Sequence, residues 1–84
     1  MTATKTRVLY FAGARDAAGT VSELIELTGP VTVGALLERI TAMHPKLGPL
    51  RPSIRVAVNH EIVLESSKLA GGEEVGILPP VAGG

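Results

Sequence analysis

The sequence contains no cysteine and no tryptophan, and its two aromatic rings belong to the neighbours Tyr10 and Phe11. Without cysteine there is no disulfide framework, no thiolate zinc site and no internal thiol nucleophile. Two adjacent rings also give no stacking platform for single-stranded nucleic acid. A chain of 84 residues makes one domain, and at 45% hydrophobic content its core must come from valine, isoleucine and leucine.

The chain also lacks an excess of charge and a long apolar run. Eight basic and eight acidic side chains cancel, whereas nucleic-acid binding depends on an excess of lysine and arginine. No apolar stretch approaches the ~20 residues that span a bilayer. Residues 1–7 lack the apolar core of a secretory signal. We therefore expect a cytoplasmic protein that binds neither nucleic acid nor membranes.

The charges are unevenly distributed along the chain. Residues 39–55 carry four basic side chains and no acid, and residues 61–74 carry four acids against one lysine. Two solvated faces would produce this pattern, and so would an acidic face that recognises a basic partner. No metal site is expected, because His44 and His60 each lack a second ligand at metal-binding spacing.

One helix and several strands can be predicted from hydrophobic patterning. Five segments have the apolar patterning of strands: 5–12, 23–27, 54–59, 61–64 and 74–78. The first reads as a strand buried on both faces, hence central in its sheet. A helical apolar stripe follows the candidate N-cap Thr32 and ends before Pro45; it contains Val33, Leu36, Leu37, Ile40 and Met43. Residues 14–18 could form one helical turn that Gly19 ends, and residues 46–53 are expected to form a connection in which Leu47 and Leu50 could pack inward.

This element order predicts an α+β fold, the ubiquitin-like β-grasp. A mixed sheet of about five strands would pack on one main helix, with the first and last strands side by side in the middle. A ferredoxin-like sheet is the alternative, but it needs two good helices and the pattern contains one. The predicted domain covers residues 1–78, and residues 79–84 form a flexible tail that ends in Gly-Gly.

The tail has features that suit chemistry at its end. Pro79 and Pro80 lack backbone donors and favour an extended path, so six residues would reach about 19 Å at ~3.1 Å each. Gly83 and Gly84 carry no side chain, so they can enter a narrow channel and leave the last carbonyl uncrowded. A frayed terminus is the plainer interpretation.

These features resemble the MoaD-like family, the ubiquitin-like sulfur carriers that form the small subunit of molybdopterin synthase. The resemblance rests on Val8-Leu9-Tyr10-Phe11-Ala12, Arg15-Asp16, Gly19, Ala57-Val58-Asn59, Leu69, Gly72-Glu73-Glu74-Val75 and Pro79-Pro80-Val81-Ala82-Gly83-Gly84. The chain departs from the family where it has Ile77-Leu78 in place of a Phe pair, Gly71-Gly72 in place of Asp-Gly, and Ala82 in place of Thr.

The resemblance implies a chemistry and a set of partners. The Gly84 carboxylate would be adenylated and then thiocarboxylated, and it would donate sulfur to cyclic pyranopterin monophosphate to form the dithiolene of molybdopterin. The chain contains no phosphate-cradling loop, so a separate ATP-dependent, MoeB-like enzyme would activate it and a persulfide enzyme would supply sulfur. Two small and two large subunits would form a heterotetramer, in which this chain is catalytically inert alone and holds no bound cofactor.

By the same resemblance, Phe11, Ile62 and Leu78 are the expected docking residues, with Arg15 as a polar anchor. Three other functions remain open from the sequence. The chain could carry sulfur for another pathway, such as cysteine, thiamine or another thiolated metabolite. It could be a ubiquitin-like modifier that forms isopeptide bonds through Gly84. It could also be an interaction module with an idle tail.

Overall fold

The structure is a computed structural model that describes residues 4–79. Its elements, in chain order, are β1 (Thr4–Tyr10), α1 (Ala12–Ala18), β2 (Ser22–Leu27), β3 (Val31–Thr32), α2 (Val33–Met43), a 3₁₀ segment (Pro45–Ser53), β4 (Arg55–Val58), β5 (Glu61–Val63), β6 (Lys68–Leu69) and β7 (Glu74–Leu78). No helix within this described range is both long enough and apolar enough to traverse a bilayer.

The main sheet has five strands in the order β2-β1-β7-β4-β5. β1 and β7 are parallel neighbours at its centre, and the other pairs are antiparallel. The predicted adjacency of the first and last strands is therefore confirmed. With α2 packed across one face, this arrangement is the predicted ubiquitin-like β-grasp, and the ferredoxin-like alternative is wrong.

Helix α2 begins and ends where the sequence predicts. The Thr32 hydroxyl accepts a hydrogen bond from the Ala35 N–H at 3.0 Å, which satisfies one of the free donors at the helix start. Pro45 follows the C-cap residue His44. Four residues of the predicted stripe are buried: Val33, Leu36, Leu37 and Ile40. They pack on the sheet through its aliphatic residues, so the core has the aliphatic character that the composition requires.

The prediction that the first strand is buried on both faces is wrong. Thr6, Val8 and Tyr10 are buried, whereas the residues that alternate with them are exposed (Lys5 and Arg7) or partly buried (Leu9). This alternation means that one face of β1 meets the core and the other faces solvent. The reason is that, among residues 4–79, the helices cover one face of the sheet and leave the other uncovered.

Three further details refine the sequence-based expectation. The first strand ends at Tyr10 instead of residue 12, and α1 is longer than the single helical turn expected at 14–18; Gly19 ends it, as expected, in the left-handed conformation at φ 75°. The expected connection at 46–53 is a 3₁₀ segment, and Leu47 packs inward as expected and is fully buried. β3 and β6, each of two residues, form a small second sheet. Segments this short carry too little periodicity to be recognised from sequence.

Candidate docking face and tail root

The solvent-facing side of the sheet is apolar at its centre. Leu9, Gly76, Ala57 and Ile62 lie in one register row across β1, β7, β4 and β5. Each is offset by one residue from a strand position that points into the core, so the side chains of Leu9, Ala57 and Ile62 project outward, and Gly76 presents its backbone on the same side. Phe11 and Leu78 extend this row towards the end of the sheet where β7 stops. We call these six residues the outer face.

Phe11 is held on the outer face by a glycine. A Cβ atom added to Gly76 would lie 3.2 Å from Cε2 of the Phe11 ring and 3.9 Å from the Ala57 Cβ. The ring therefore lies directly over the Gly76 backbone, while 45% of Phe11 remains exposed. Gly76 was not singled out from the sequence. A lone glycine inside a strand pattern was the available signal, because it marks a close approach.

The structure brings three of the four expected docking residues onto this single face. Phe11 is half-exposed, Ile62 is 57% exposed and Leu78 is partly buried beside them. A depression of about 220 Å³ lies between strands β1, β7 and β4, and Phe11 and Leu78 both line it. Because Leu78 is the last residue of β7, this apolar surface directly adjoins the root of the tail at Pro79.

Arg15, the fourth expected docking residue, lies on α1. Its backbone N–H donates to the Phe11 carbonyl at 3.3 Å, so Arg15 lies one helical turn after Phe11. The side chain is exposed. Within residues 4–79 it forms no ion pair, with Asp16 or with any other acid.

Five of the six tail residues fall outside the described residues. Pro79 is partly buried at the end of β7. The expectations for Pro80, Val81, Ala82, Gly83 and Gly84 therefore stay predictions, and so does the boundary of the domain at residue 78.

Two of the four acids of the 61–74 segment accept hydrogen bonds from elsewhere in the domain. Glu65 accepts two hydrogen bonds from the Arg51 guanidinium, at 2.7 and 2.9 Å. Glu73 accepts the backbone N–H groups of Ala70 and Gly71 at 2.9 and 2.8 Å. These interactions favour solvated, locally paired acids over an acidic recognition face.

Local contacts also set the acidity of Glu65 and Glu73. The hydrogen bonds from Arg51 keep the pKa of the Glu65 carboxyl below its usual range. Burial alone would raise the pKa of Glu73, but backbone hydrogen bonds, among them those from Ala70 and Gly71, outweigh it and lower that pKa.

His44 belongs to a polar cluster on the core side of the sheet. Its Nε2 lies 2.7 Å from Oε2 of Glu23, and the same oxygen accepts the Tyr10 hydroxyl. The Tyr10 and His44 rings meet edge to face, with centroids 5.7 Å apart. Burial and the Glu23 carboxylate raise the pKa of the Tyr10 phenol. The cluster ties the end of α2 to β1 and β2. Within the part of the chain described, no three His, Cys, Asp or Glu side chains are grouped as metal ligands.

A β-grasp domain with an apolar sheet face at the root of its C-terminal segment defines a ubiquitin-like protein. The family comparison makes this class more specific. The model of the ThiS family matches residues 8–84, so the chain belongs to the ThiS family.

Relatives with two different names are similar to this chain over most of its length. The molybdopterin synthase sulfur carrier subunit of Chlamydomonas reinhardtii is 39% identical over 80 residues, which is 93% of this chain and 96% of that protein. The subunit of the same name from Mycobacterium tuberculosis is 36% identical, over 95% of this chain and 98% of that protein.

The small archaeal modifier protein 1 of Haloferax volcanii is 32% identical, over 88% of this chain and 94% of that protein. Its crystal structure superposes with a TM-score of 0.81 at 27% identity, over 93% of this chain and 99% of that chain.

Proposed function

We propose that this protein is the sulfur carrier subunit of a molybdopterin synthase, and that its reactive group is the carboxylate of Gly84. The observation that carries the proposal is the near full-length similarity to two subunits with that name. The ThiS family match extends through residue 84, so the matched region includes the Gly-Gly segment.

The chemistry starts from a poor electrophile. ATP converts the carboxylate to an acyl-adenylate with loss of pyrophosphate, and AMP then leaves as the terminal sulfur of an enzyme persulfide attacks the Gly84 carbonyl and forms an acyl disulfide. A second thiol of the sulfur-donating enzyme cleaves the S–S bond, so that the enzyme keeps a disulfide and Gly84 is released as the thiocarboxylate. The resulting thiocarboxylate is a nucleophile at neutral pH. Two such carriers deliver the two sulfur atoms that convert cyclic pyranopterin monophosphate to the dithiolene. The chain itself contributes the terminus and the docking surface, while the adenylating enzyme, the persulfide enzyme and the large subunit supply catalysis.

Docking of the large subunit on the outer face would bring the root of the tail next to that subunit. Phe11, Ile62 and Leu78 present apolar surface at the point where the tail begins. A tail of six extended residues reaches about 19 Å from this root, so a partner bound to the outer face can receive Gly84 in an active site at that distance. In the heterotetramer that the family implies, each large subunit would cover one such face.

A second candidate is a ubiquitin-like modifier that joins Gly84 to lysine side chains. The similarity to the small archaeal modifier protein 1 favours it. The two candidates share activation of Gly84 and differ in the group that attacks next: sulfur from a persulfide in one, and a lysine amine in the other. Sulfur carriage for a different pathway shares every step except the final acceptor.

The test is the intact mass of the full chain after incubation with ATP, a sulfur donor and the cognate adenylating enzyme. Replacement of oxygen by sulfur adds nearly the same mass as oxidation of Met1 or Met43, so thiol-selective alkylation must accompany it. A chain that lacks Gly84 is the matched control. We expect an alkylatable product from the full chain and none from the control.

Absence of that product, with an enzyme proven active on another carrier, would contradict the proposal. Appearance of lysine conjugates in place of the thiocarboxylate would support the modifier. If deletion of Gly84 did not impair the protein's function, an interaction module would be the one remaining interpretation.

A further inference from the structure

Arg55 is a charged residue at the edge of the outer face, next to the tail root. It lies opposite Leu78 in the β4–β7 register, and the next residue, Val56, is buried in the core. The Arg55 side chain therefore projects on the solvent-facing side of the sheet and is exposed. It also lines a depression of about 250 Å³ with Ile62 and the 76%-exposed Leu64.

The cations elsewhere on this side of the sheet have acids opposite them. Lys5 lies opposite Glu26 on β2, and Arg7 lies opposite Glu74 on β7. Such cross-strand pairs partly compensate each other's charge. Arg55 differs, because its register partner on β7 is Leu78 and no acid lies opposite it.

One acid does line the same depression as Arg55, but it is already engaged. Glu65 forms a two-pronged interaction with Arg51, at 2.7 and 2.9 Å. No other acid in residues 4–79 lies within ion-pair distance of Arg55. Within residues 4–79, Arg55 is thus left without an acidic partner beside the exposed apolar side chains of Ile62 and Leu64, as Arg15 is on α1.

A partner that covers the outer face removes water from around this guanidinium. A charge that loses its water is costly unless an opposite charge and hydrogen bonds replace it. The guanidinium fork matches a carboxylate in two parallel hydrogen bonds, which fixes orientation as well as contact. An acidic residue opposite Arg55 would therefore both avoid the cost and set the angle at which the tail enters the partner.

We propose that Arg55 pairs with a carboxylate side chain on the large subunit and orients the docked carrier about its tail root. This inference rests on the proposed function, since it assumes that the large subunit covers the outer face. Arg55 is here a positioning residue, which acts on the orientation of the docked carrier and not on the reacting group.

The experiment measures binding of the full chain to its cognate large subunit at several salt concentrations. Arg55→Gln is expected to raise the Kd at least tenfold at low salt, the scale found when one partner of a covered charge pair is truncated. Because salt screens the lost interaction, the Kd of the variant should also depend less steeply on salt than that of the unchanged protein. Arg55→Lys retains the charge but not the forked guanidinium, so its Kd should lie between those of the unchanged protein and Arg55→Gln.

Lys46→Gln is the matched control, because Lys46 is exposed on the 3₁₀ segment, away from the sheet. It removes the same charge and should leave the Kd within about twofold. Thermal melts of each variant verify the fold. An unchanged Kd and an unchanged salt slope for Arg55→Gln would overturn the inference, and so would an equal loss in Lys46→Gln.

The variant Phe11→Asp distinguishes failure of the role given to Arg55 from failure of the outer face as the docking surface. Weak binding by Phe11→Asp together with normal binding by Arg55→Gln overturns only the role of Arg55. Normal binding by both overturns the outer face as the docking surface, and the inference with it. Weak binding by both, with a lower salt dependence in Arg55→Gln, supports both.

Discussion

Replacement of Phe11 by aspartate should separate docking from folding. Phe11 exposes 45% of its surface, which for a ring residue of roughly 200 Å² is about 90 Å² available to a partner. At ~25 cal/mol per Å², covering that area contributes about 2 kcal/mol to binding, or roughly 30-fold in Kd. A carboxylate at the same place adds a desolvation cost, so the loss for Phe11→Asp should be at least this large.

The fold should survive this substitution. Phe11 occupies the N-cap of α1 and makes no side-chain hydrogen bond there, and aspartate is among the favoured N-cap residues. The stability gained from the capping hydrogen bond therefore offsets part of the stability lost when the ring no longer packs over Gly76. Circular dichroism should show a native spectrum and a melting temperature a few degrees lower.

The assay is titration calorimetry against the large subunit, with Met43→Asp as the control. Met43 is 46% exposed, so it matches Phe11 in exposure, but it lies at the end of α2 on the helical side of the sheet. We expect near-normal affinity for this control. A folded Phe11→Asp that binds as tightly as the unchanged protein would refute the reasoning, as would an equal loss in Met43→Asp.

Three other predictions concern the tail, one turn and acid stability. Deletion of Gly84 should abolish sulfur transfer in the reconstituted reaction and leave the thermal melt unchanged, because the core is built from residues 8–77. His60→Gly should raise the melting temperature by roughly 2–4 °C, since Asn59 and His60 have φ values of 49° and 75°, and relief of about 0.5 kcal/mol suffices for that shift. Glu73→Gln should flatten the loss of stability in acid. The folded pKa of Glu73 lies below the ordinary value of 4.5, so its contribution is present above that pH and lost as the pH falls through the folded pKa.

Each of these predictions has a clear contrary result. A Gly84-deleted chain that still transfers sulfur, or that melts early, would contradict the first. An unchanged or lower melting temperature for His60→Gly would show that the positive φ angles carry no strain. Parallel acid-denaturation curves for Glu73→Gln and the unchanged protein would show that the carboxylate adds nothing to stability.

The parts of the fold that depend on local sequence were predictable. Thr32 and Pro45 mark the two ends of α2, because capping and the loss of a backbone donor act within a few residues. The central pairing of β1 and β7 was also predictable, since the most apolar strands belong where both neighbours are strands. Phe11, Ile62 and Leu78 were named together by resemblance, and the register explains how strands distant in sequence bring them to one face.

Other features could not be predicted, because they depend on contacts between segments that are distant in sequence and that share no periodic pattern. The ring of Phe11 over Gly76 joins residues 65 positions apart, and the Arg51–Glu65 pair links the 3₁₀ segment to the loop after β5. The exposed outer side of β1 was missed for a similar reason. An apolar run shows that a strand is buried, but the number of covered faces depends on whether a second helical layer exists.

The most direct measurement of the central claim is a single-turnover sulfur transfer. Full-length chain, thiocarboxylated at Gly84, would be mixed with the large subunit and cyclic pyranopterin monophosphate, and both the pterin and the carrier would be followed by mass. We predict a dithiolene product that consumes two carriers per pterin and returns each Gly84 to its carboxylate. Carrier that stays thiocarboxylated while the pterin gains no sulfur, with a large subunit proven active on another carrier, would contradict the account.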